Sequence, residues 1–169
     1  MKYCSLLLNF LQFADDTTIM LSSPDLELLN DVMEREANKV VEWFNSNKLK
    51  LNLSKTNCML FTNKRNRLNL NIRLNAQLID QASETTFLGV VIDHKLTWKS
   101  HIRHVFTKIS KSIAILKNFK STFPKSVLRI LYMSLIHSHL NYCNIVWGSA
   151  CRTVLDPLHK LQKKSNQTN

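Results

Sequence analysis

Only 2 glycines and 3 prolines occur among 169 residues, which excludes collagen-like, linker-rich and low-complexity character. No stretch approaches the roughly 18 to 20 consecutive apolar residues needed to cross a bilayer, so no membrane partner is expected. The run from Leu6 to Leu11 imitates a short signal peptide behind Met1-Lys2. Asn9 interrupts it, however, no small-residue cleavage site follows, and Asp15 and Asp16 come directly after, so a buried strand is expected. The four cysteines, Cys4, Cys58, Cys143 and Cys151, show no C-x-x-C spacing. That fits reduced thiols in an intracellular protein and predicts no disulfide partner. Acid is scarce in one half of the chain: residues 94–169 hold 13 basic side chains against Asp156 alone, a net of +12, whereas residues 1–93 hold 10 basic and 11 acidic, a net of −1. A basic half of this kind suits a polyanion, whose neutralised phosphates release counterions. A merely solvated basic face is the alternative, and composition leaves the two even.

What is present is a globular sequence, with 44% apolar residues. Its length fits one domain or two small ones sharing a core and rules out a multi-domain enzyme. Two short β-favouring runs, 5–13 and 17–22, flank Ala14-Asp15-Asp16 and predict a hairpin with acids at its tip. Ser22-Ser23-Pro24-Asp25 reads as a helix start with a hydroxyl cap, proline in the first turn and acids near the positive end of the dipole. Leu26, Leu29, Met33, Ala37, Val40 and Trp43/Phe44 then carry a helix over 24–45. Strand-like Cys58 to Thr62, a basic turn 63–67, alternating Leu68, Leu70, Ile72 and Leu74, and a hairpin over 85–93 predict three or four antiparallel strands. Gly89 inside the last of these points to a bulge or a close backbone approach. From Trp98 the pattern turns helical and basic: Ile102, Val105/Phe106, Ile109, Ile113 and Leu116 at helical spacing, then helices over 125–138 and 153–164. The fold class is α+β, with a mixed part at 1–93 and a basic helical part at 94–169.

Two carboxylates on a tight turn can hold Mg²⁺, which takes oxygen ligands and is commonly shared between one or two carboxylates and substrate phosphates. Aspartate is also an ordinary turn residue, and the tetrapeptide Phe13-Ala14-Asp15-Asp16 alone favours that plainer reading. Its surroundings reverse the weighting. Phe-Ala-Asp-Asp-Thr, a helix, Leu49-Lys50-Leu51-Asn52-Leu53-Ser54-Lys55-Thr56, then Phe87-Leu88-Gly89-Val90-Val91-Ile92-Asp93 with Leu96-Thr97-Trp98 and His101-Ile102 resemble, in order and spacing, the reverse transcriptase of non-LTR (LINE-type) retrotransposons. The likeness runs from about Phe10 to Lys164.

The resemblance implies a partial polymerase palm of antiparallel hairpins and a helix, followed by a basic helical thumb. It implies that Asp15 is a direct metal ligand with Asp16 supporting it, Mg²⁺ being the cofactor of the intact enzyme, and that Phe13 fills the aromatic position before them. Lys55 would lie near the phosphates of an incoming dNTP, as a proton donor to pyrophosphate; its plainer reading is one more solvated lysine. Phe87, Leu88 and Gly89 correspond to a primer-grip hairpin, and Lys99, Arg103, Lys108, Lys111 and Lys117 to thumb contacts with phosphates. The implied partners are an RNA template and a DNA primer, or their hybrid duplex, inside the cell and, by the family, in the nucleus. Tyr142 and Trp147 match the family's tyrosine and tryptophan-glycine stretch and are expected in the core.

The pattern departs from the family upstream. Two-metal polymerisation needs a further carboxylate from a separate strand, and only 14 residues precede Asp15. The chain therefore reads as a C-terminal half-palm plus thumb, inactive by itself; a non-catalytic nucleic-acid-binding remnant or pseudogene product is the second reading. One face of the palm sheet is expected to be uncovered. A zinc site from His137, His139, Cys143 and Cys151 is disfavoured by their spacing.

Overall fold

Asn9–Phe13 (β1) and Asp16–Met20 (β2) pair antiparallel with Phe13 opposite Asp16, closing the first hairpin on the two-residue turn Ala14-Asp15. The computed structural model describes residues 8–64 and 68–166; the expected strand start at Ser5 and the basic residues 65–67 lie outside them. Two compact units result, Met1–Ser83 and Glu84–Asn169. Each is α+β in character.

In the first unit the helix is α1, Leu26–Ser46. Its start differs from the expected one. Asp25, not a serine, is the cap, its carboxylate accepting from the Glu27 amide at 3.0 Å, while Ser23 Oγ accepts from the Asp25 amide at 3.2 Å. Pro24 thus precedes the helix, because a carboxylate at the cap satisfies an orphan amide and suits the helix dipole. The buried face of α1 joins Leu29, Ala37 and Val41 to Leu70, Ile72, Leu74 and Ile79. Alternation at 70, 72 and 74 is as the sequence suggests, but the expected strand is mostly not one. Only Arg73–Leu74 (β4) pairs, antiparallel with Gln77–Leu78 (β5) across Asn75-Ala76, both in the left-handed region.

The rest of that backbone is held by side chains: Gln81 accepts from the Leu70 amide at 2.8 Å and donates to the Leu68 carbonyl at 3.0 Å, and α1 holds the residues that follow. Asn30, Glu34 and Asn38, four residues apart on one face, accept from the amides of Asn71, Arg73 and Asn75 at 3.3, 3.0 and 3.1 Å, and Asn38 Nδ2 donates to the Arg73 carbonyl at 2.8 Å. Side chains of α1 take the place of a neighbouring strand. Asn57–Cys58 (β3) pairs with Asp80–Gln81 (β6) in parallel, correcting the antiparallel expectation. The long intervening segment is what a parallel connection needs, since a tight turn cannot make one.

The second unit begins with Glu84–Phe87 (β7) and Val90–Asp93 (β8), antiparallel around Leu88-Gly89. Helices follow: α2 Lys99–Phe119, α3 Lys125–Tyr132, a π-helical stretch Met133–His137, α4 Ser138–Asn141, α5 Asn144–Trp147 and α6 Arg152–Asn166. Val90 and Trp98 join Ile102, Val105, Ile109, Ile113, Leu116, Leu128, Tyr132, Ile136, Trp147 and Leu158 in one core. That packing ties the hairpin to the helices. Pro157 sits within α6, where it has no amide to give the preceding turn.

The junction into α2 is built by Asp93. Its Oδ1 accepts from the amides of Lys95 and Thr97 at 3.1 and 3.0 Å, and Oδ2 from the Trp98 amide at 2.9 Å and Thr97 Oγ1 at 3.2 Å. These bonds hold a loop in which Leu96 and Trp98 are left-handed, with φ +53° and +64°. Burial pushes the Asp93 carboxyl upward, but the four hydrogen bonds outweigh it and leave the pKa lowered.

His101, 2% exposed, is held below its ordinary pKa by burial and by neighbouring His104 and Lys108. Both groups are therefore less protonated folded than unfolded. Their contributions are complete above about pH 6.5 for His101 and about pH 3.9 for Asp93, and each is lost as pH falls through the lower folded value. Melting temperature should fall in two acid steps, one below pH 6.5 and one below pH 4. In Asp93→Asn the second step should shrink. A flat profile between pH 7 and 5 would contradict the His101 assignment.

Among the described residues no helix is long and apolar enough to cross a membrane. Cys58, Cys143 and Cys151 are free thiols, and Cys4 lies outside the described residues. The β1–β2 hairpin pairs with no third strand there, and Leu11, Phe13 and Met20 are exposed on it.

Candidate functional site

Turn chemistry explains how Asp15 and Asp16 are presented. Ala14, the first central residue of the turn, has φ +51°, a region that suits glycine and costs alanine of order 1 kcal/mol or more. Strain of this kind persists only where the flanking ladder enforces it. Five paired residues on each side do so here. Asp15 and Asp16 are both exposed, and neither carboxylate meets a cation among the described residues. Two unneutralised carboxylates on adjacent positions supply oxygen donors of the kind a hard divalent cation takes. Among the described residues, no group of three His, Cys, Asp or Glu side chains assembles, here or around His137, His139, Cys143 and Cys151.

Lys55 ends a 3₁₀ turn, Leu53–Lys55, stitched by Asn52. The Asn52 carbonyl accepts from the Lys55 amide at 3.2 Å and from Thr56 Oγ1 at 2.9 Å, and Asn52 Oδ1 accepts from Ser54 Oγ at 2.7 Å. The expected connector is thus a self-bonded turn that leaves the Lys55 side chain exposed. No hydrogen bond or ion pair links Lys55 to Asp15 or Asp16 among the described residues.

In the second unit, Leu88 and Gly89 have φ +46° and +78°, the pair of left-handed residues that a tight I′ turn requires. Gly89 is therefore a turn residue rather than a bulge within a strand. Tyr142 holds this turn: its hydroxyl donates to the Leu88 carbonyl at 2.6 Å, and a Cβ at Gly89 would lie 3.5 Å from its ring. Tyr142 is 50% exposed, which corrects its expected place in the core. Its phenol finds a backbone partner at the surface, as tyrosine can with one wet end. Trp147 is buried as expected, its indole Nε1 donating to the Tyr142 carbonyl at 2.8 Å.

Lys99, Arg103, Lys108, Lys111 and Lys117 are all exposed on α2. They do not form one stripe. At about 100° per residue, Lys99, Arg103 and Lys117 fall within roughly 40° of one another, whereas Lys108 lies on the opposite flank, near His101 and His104. On that flank a cavity of about 340 Å³ opens, lined by Gly89, His101, His104, Lys108, His139 and Tyr142 among others. That these histidines share one cavity is not legible in the sequence, because they come from α2 and α4, far apart in the chain.

A family model described as reverse transcriptase (RNA-dependent DNA polymerase) matches residues 2–92. The chain is 25% identical over 155 residues to a probable RNA-directed DNA polymerase from transposon X-element of Drosophila melanogaster, and 28% identical over 156 residues to the RNA-directed DNA polymerase from mobile element jockey of Drosophila funebris. Each alignment covers 90% of this chain and 17% of the relative, so the chain spans about a sixth of the length of these proteins. No solved structure matches it significantly.

Proposed function

Since this chain belongs to the reverse transcriptase (RNA-dependent DNA polymerase) family, we propose that it supplies the metal-holding hairpin, the primer-end turn and the duplex-binding helices of a non-LTR retrotransposon polymerase. The carrying observation is the Asp15-Asp16 pair, exposed and unneutralised on a strained turn inside the matched stretch. In this reading Asp15 and Asp16 hold Mg²⁺ through carboxylate oxygens, and the ion, when bound, offsets charge on the attacking and leaving oxygens of nucleotidyl transfer. Lys55 donates a proton to the departing pyrophosphate of the dNTP. The backbone at Leu88-Gly89, with Phe87 beside it, steadies the end of the DNA primer. The cations of α2 rest on phosphates of the RNA template and DNA primer duplex, positioning it without reading sequence.

Two measurements test this. Mn²⁺ titrated into the isotope-labelled chain should broaden amide signals around Phe13 to Thr17, and the broadening should disappear in the Asp15→Ala/Asp16→Ala double variant. Broadening elsewhere, or unchanged by the double variant, would refute metal binding at the turn. Labelled dNTP on a primed RNA template should give no measurable extension with this chain alone, because no third carboxylate joins the pair among the described residues. Incorporation that Asp15→Ala abolishes would overturn the inactivity.

A further inference from the structure

Tyr142 is 50% exposed, yet its backbone is fixed on both sides. Its amide donates to the Ser138 carbonyl at 3.0 Å, and its carbonyl accepts from the indole of buried Trp147 at 2.8 Å. The core of the second unit thus carries the residue while the ring stays outside it. From there the hydroxyl donates to the Leu88 carbonyl at 2.6 Å, near the short end of the range for an O–H donor. Water competes for both partners of an exposed bond of this kind, so it adds little to stability. What it fixes is a direction.

The Leu88-Gly89 peptide is trans and planar, so its carbonyl and its amide point opposite ways. In a two-residue hairpin turn this central peptide has two settings, types I′ and II′, which differ by turning it over. Glycine at the second position accepts both. The Tyr142 hydroxyl selects one of them. With the carbonyl held on the tyrosine, the Gly89 N–H faces away from it, on an exposed residue, and meets no acceptor among the described residues. A hydrogen bond to the carbonyl also polarises the peptide, which makes that N–H a stronger donor.

We propose that Tyr142 is a positioning residue: it holds the Leu88-Gly89 peptide in one setting and so aims the Gly89 amide at the primer end, as donor to an oxygen of the terminal nucleotide. This rests on the primer-end role proposed above for the turn, and it adds the atom that meets the primer and the side chain that directs it. A single amide at a hairpin tip meets one nucleotide at an end, whereas the cations of α2 meet phosphates along a duplex. The two contributions are therefore separable by the kind of nucleic-acid end offered.

The test uses the full chain and a DNA primer annealed to a longer RNA template, so that the primer 3′ end is recessed. The reference is the same duplex with the template overhang moved to the opposite end, which recesses the primer 5′ end instead. Affinities come from fluorescence anisotropy, and the Gly89 amide is followed by ¹⁵N NMR. The unaltered chain should bind the recessed 3′ end about tenfold more tightly than the reference, with Gly89 among the most shifted amides. Tyr142→Phe keeps the ring beside Gly89 and removes only the hydroxyl. In that variant the affinity for the reference and the melting temperature should be unchanged, the Gly89 resonance of the free chain should move, and the preference for the 3′ end should fall to about twofold or less. A tyrosine that merely props the fold would lower the melting temperature and both affinities together, and that result overturns the positioning role. So does a full preference retained in Tyr142→Phe, which leaves the primer-end role of the turn standing. Absence of any preference in the unaltered chain removes the primer-end role, and the positioning role with it.

Discussion

Raising monovalent salt from 50 to 200 mM should weaken the binding of this chain to duplex DNA or RNA/DNA hybrid by roughly 10²- to 10³-fold. The basis is the C-terminal charge, 13 basic residues against Asp156 alone, together with the exposure of all five α2 cations considered. With about four to six phosphates neutralised at roughly 0.9 each, log affinity against log salt should slope on the order of −4 to −5. Affinity should vary little with sequence, because phosphate contacts position the duplex without specifying it. Geometry sharpens the mutational form. Lys99, Arg103 and Lys117 share one flank of α2, so changing all three to Ala should make the slope shallower by up to about 3 if that flank meets the duplex. A salt-independent affinity, or a strong sequence preference that survives the triple change, would show a solvated surface and nothing more.

Ile136→Ala should be the most damaging single truncation in the second unit. Ile136 is 0% exposed within the π-helical stretch, and Ile109 at 1% is its counterpart on α2. Isoleucine to alanine in a closed core costs about 2–5 kcal/mol, from lost transfer energy and from the cavity left behind. Against a usual domain stability of roughly 5–15 kcal/mol, that is a large share. Denaturant titration reads it directly. By contrast Ile130, 68% exposed six residues earlier, should tolerate alanine with little change. Equal losses at the two positions would mean that an unseen surface covers Ile130.

The helices were the most readable part of the sequence. A 3.6-residue spacing of large apolar side chains set the buried faces of α1 and α2; α1 formed within two residues of its expected limits, and α2 buries the expected Ile102, Val105, Ile109, Ile113 and Leu116. The Asp15-Asp16 tip was legible for a similar reason, since two β-favouring runs around a short polar turn have one simple solution. What stayed hidden depends on contacts distant in sequence. Nothing local to Asn71, Arg73 and Asn75 reveals that Asn30, Glu34 and Asn38 receive their amides, so that segment resembled a paired strand. Tyr142 was misplaced because ring volume predicts burial, while the carbonyl that drew its hydroxyl outward lies 54 positions earlier. Asp93 is legible as part of a family signature, but its four bonds depend on a loop in which Leu96 and Trp98 adopt left-handed backbone, which no local pattern encodes.

The first hairpin also couples two properties that could have been separate. Because Phe13 lies opposite Asp16 with only Ala14 and Asp15 between them, the loop has no slack to absorb a change in length. Alternation along β2 carries the consequence inward: Ile19 packs against the core of the first unit, and Leu21 follows with it. One residue inserted at Ala14 would have to be expelled as an enlarged loop or would turn every later side chain of β2 to the opposite face, withdrawing Ile19 from the core. The position of the carboxylates and the anchoring of the strand behind them are one variable, so a codon gained or lost at this tip should damage folding and the proposed metal site together.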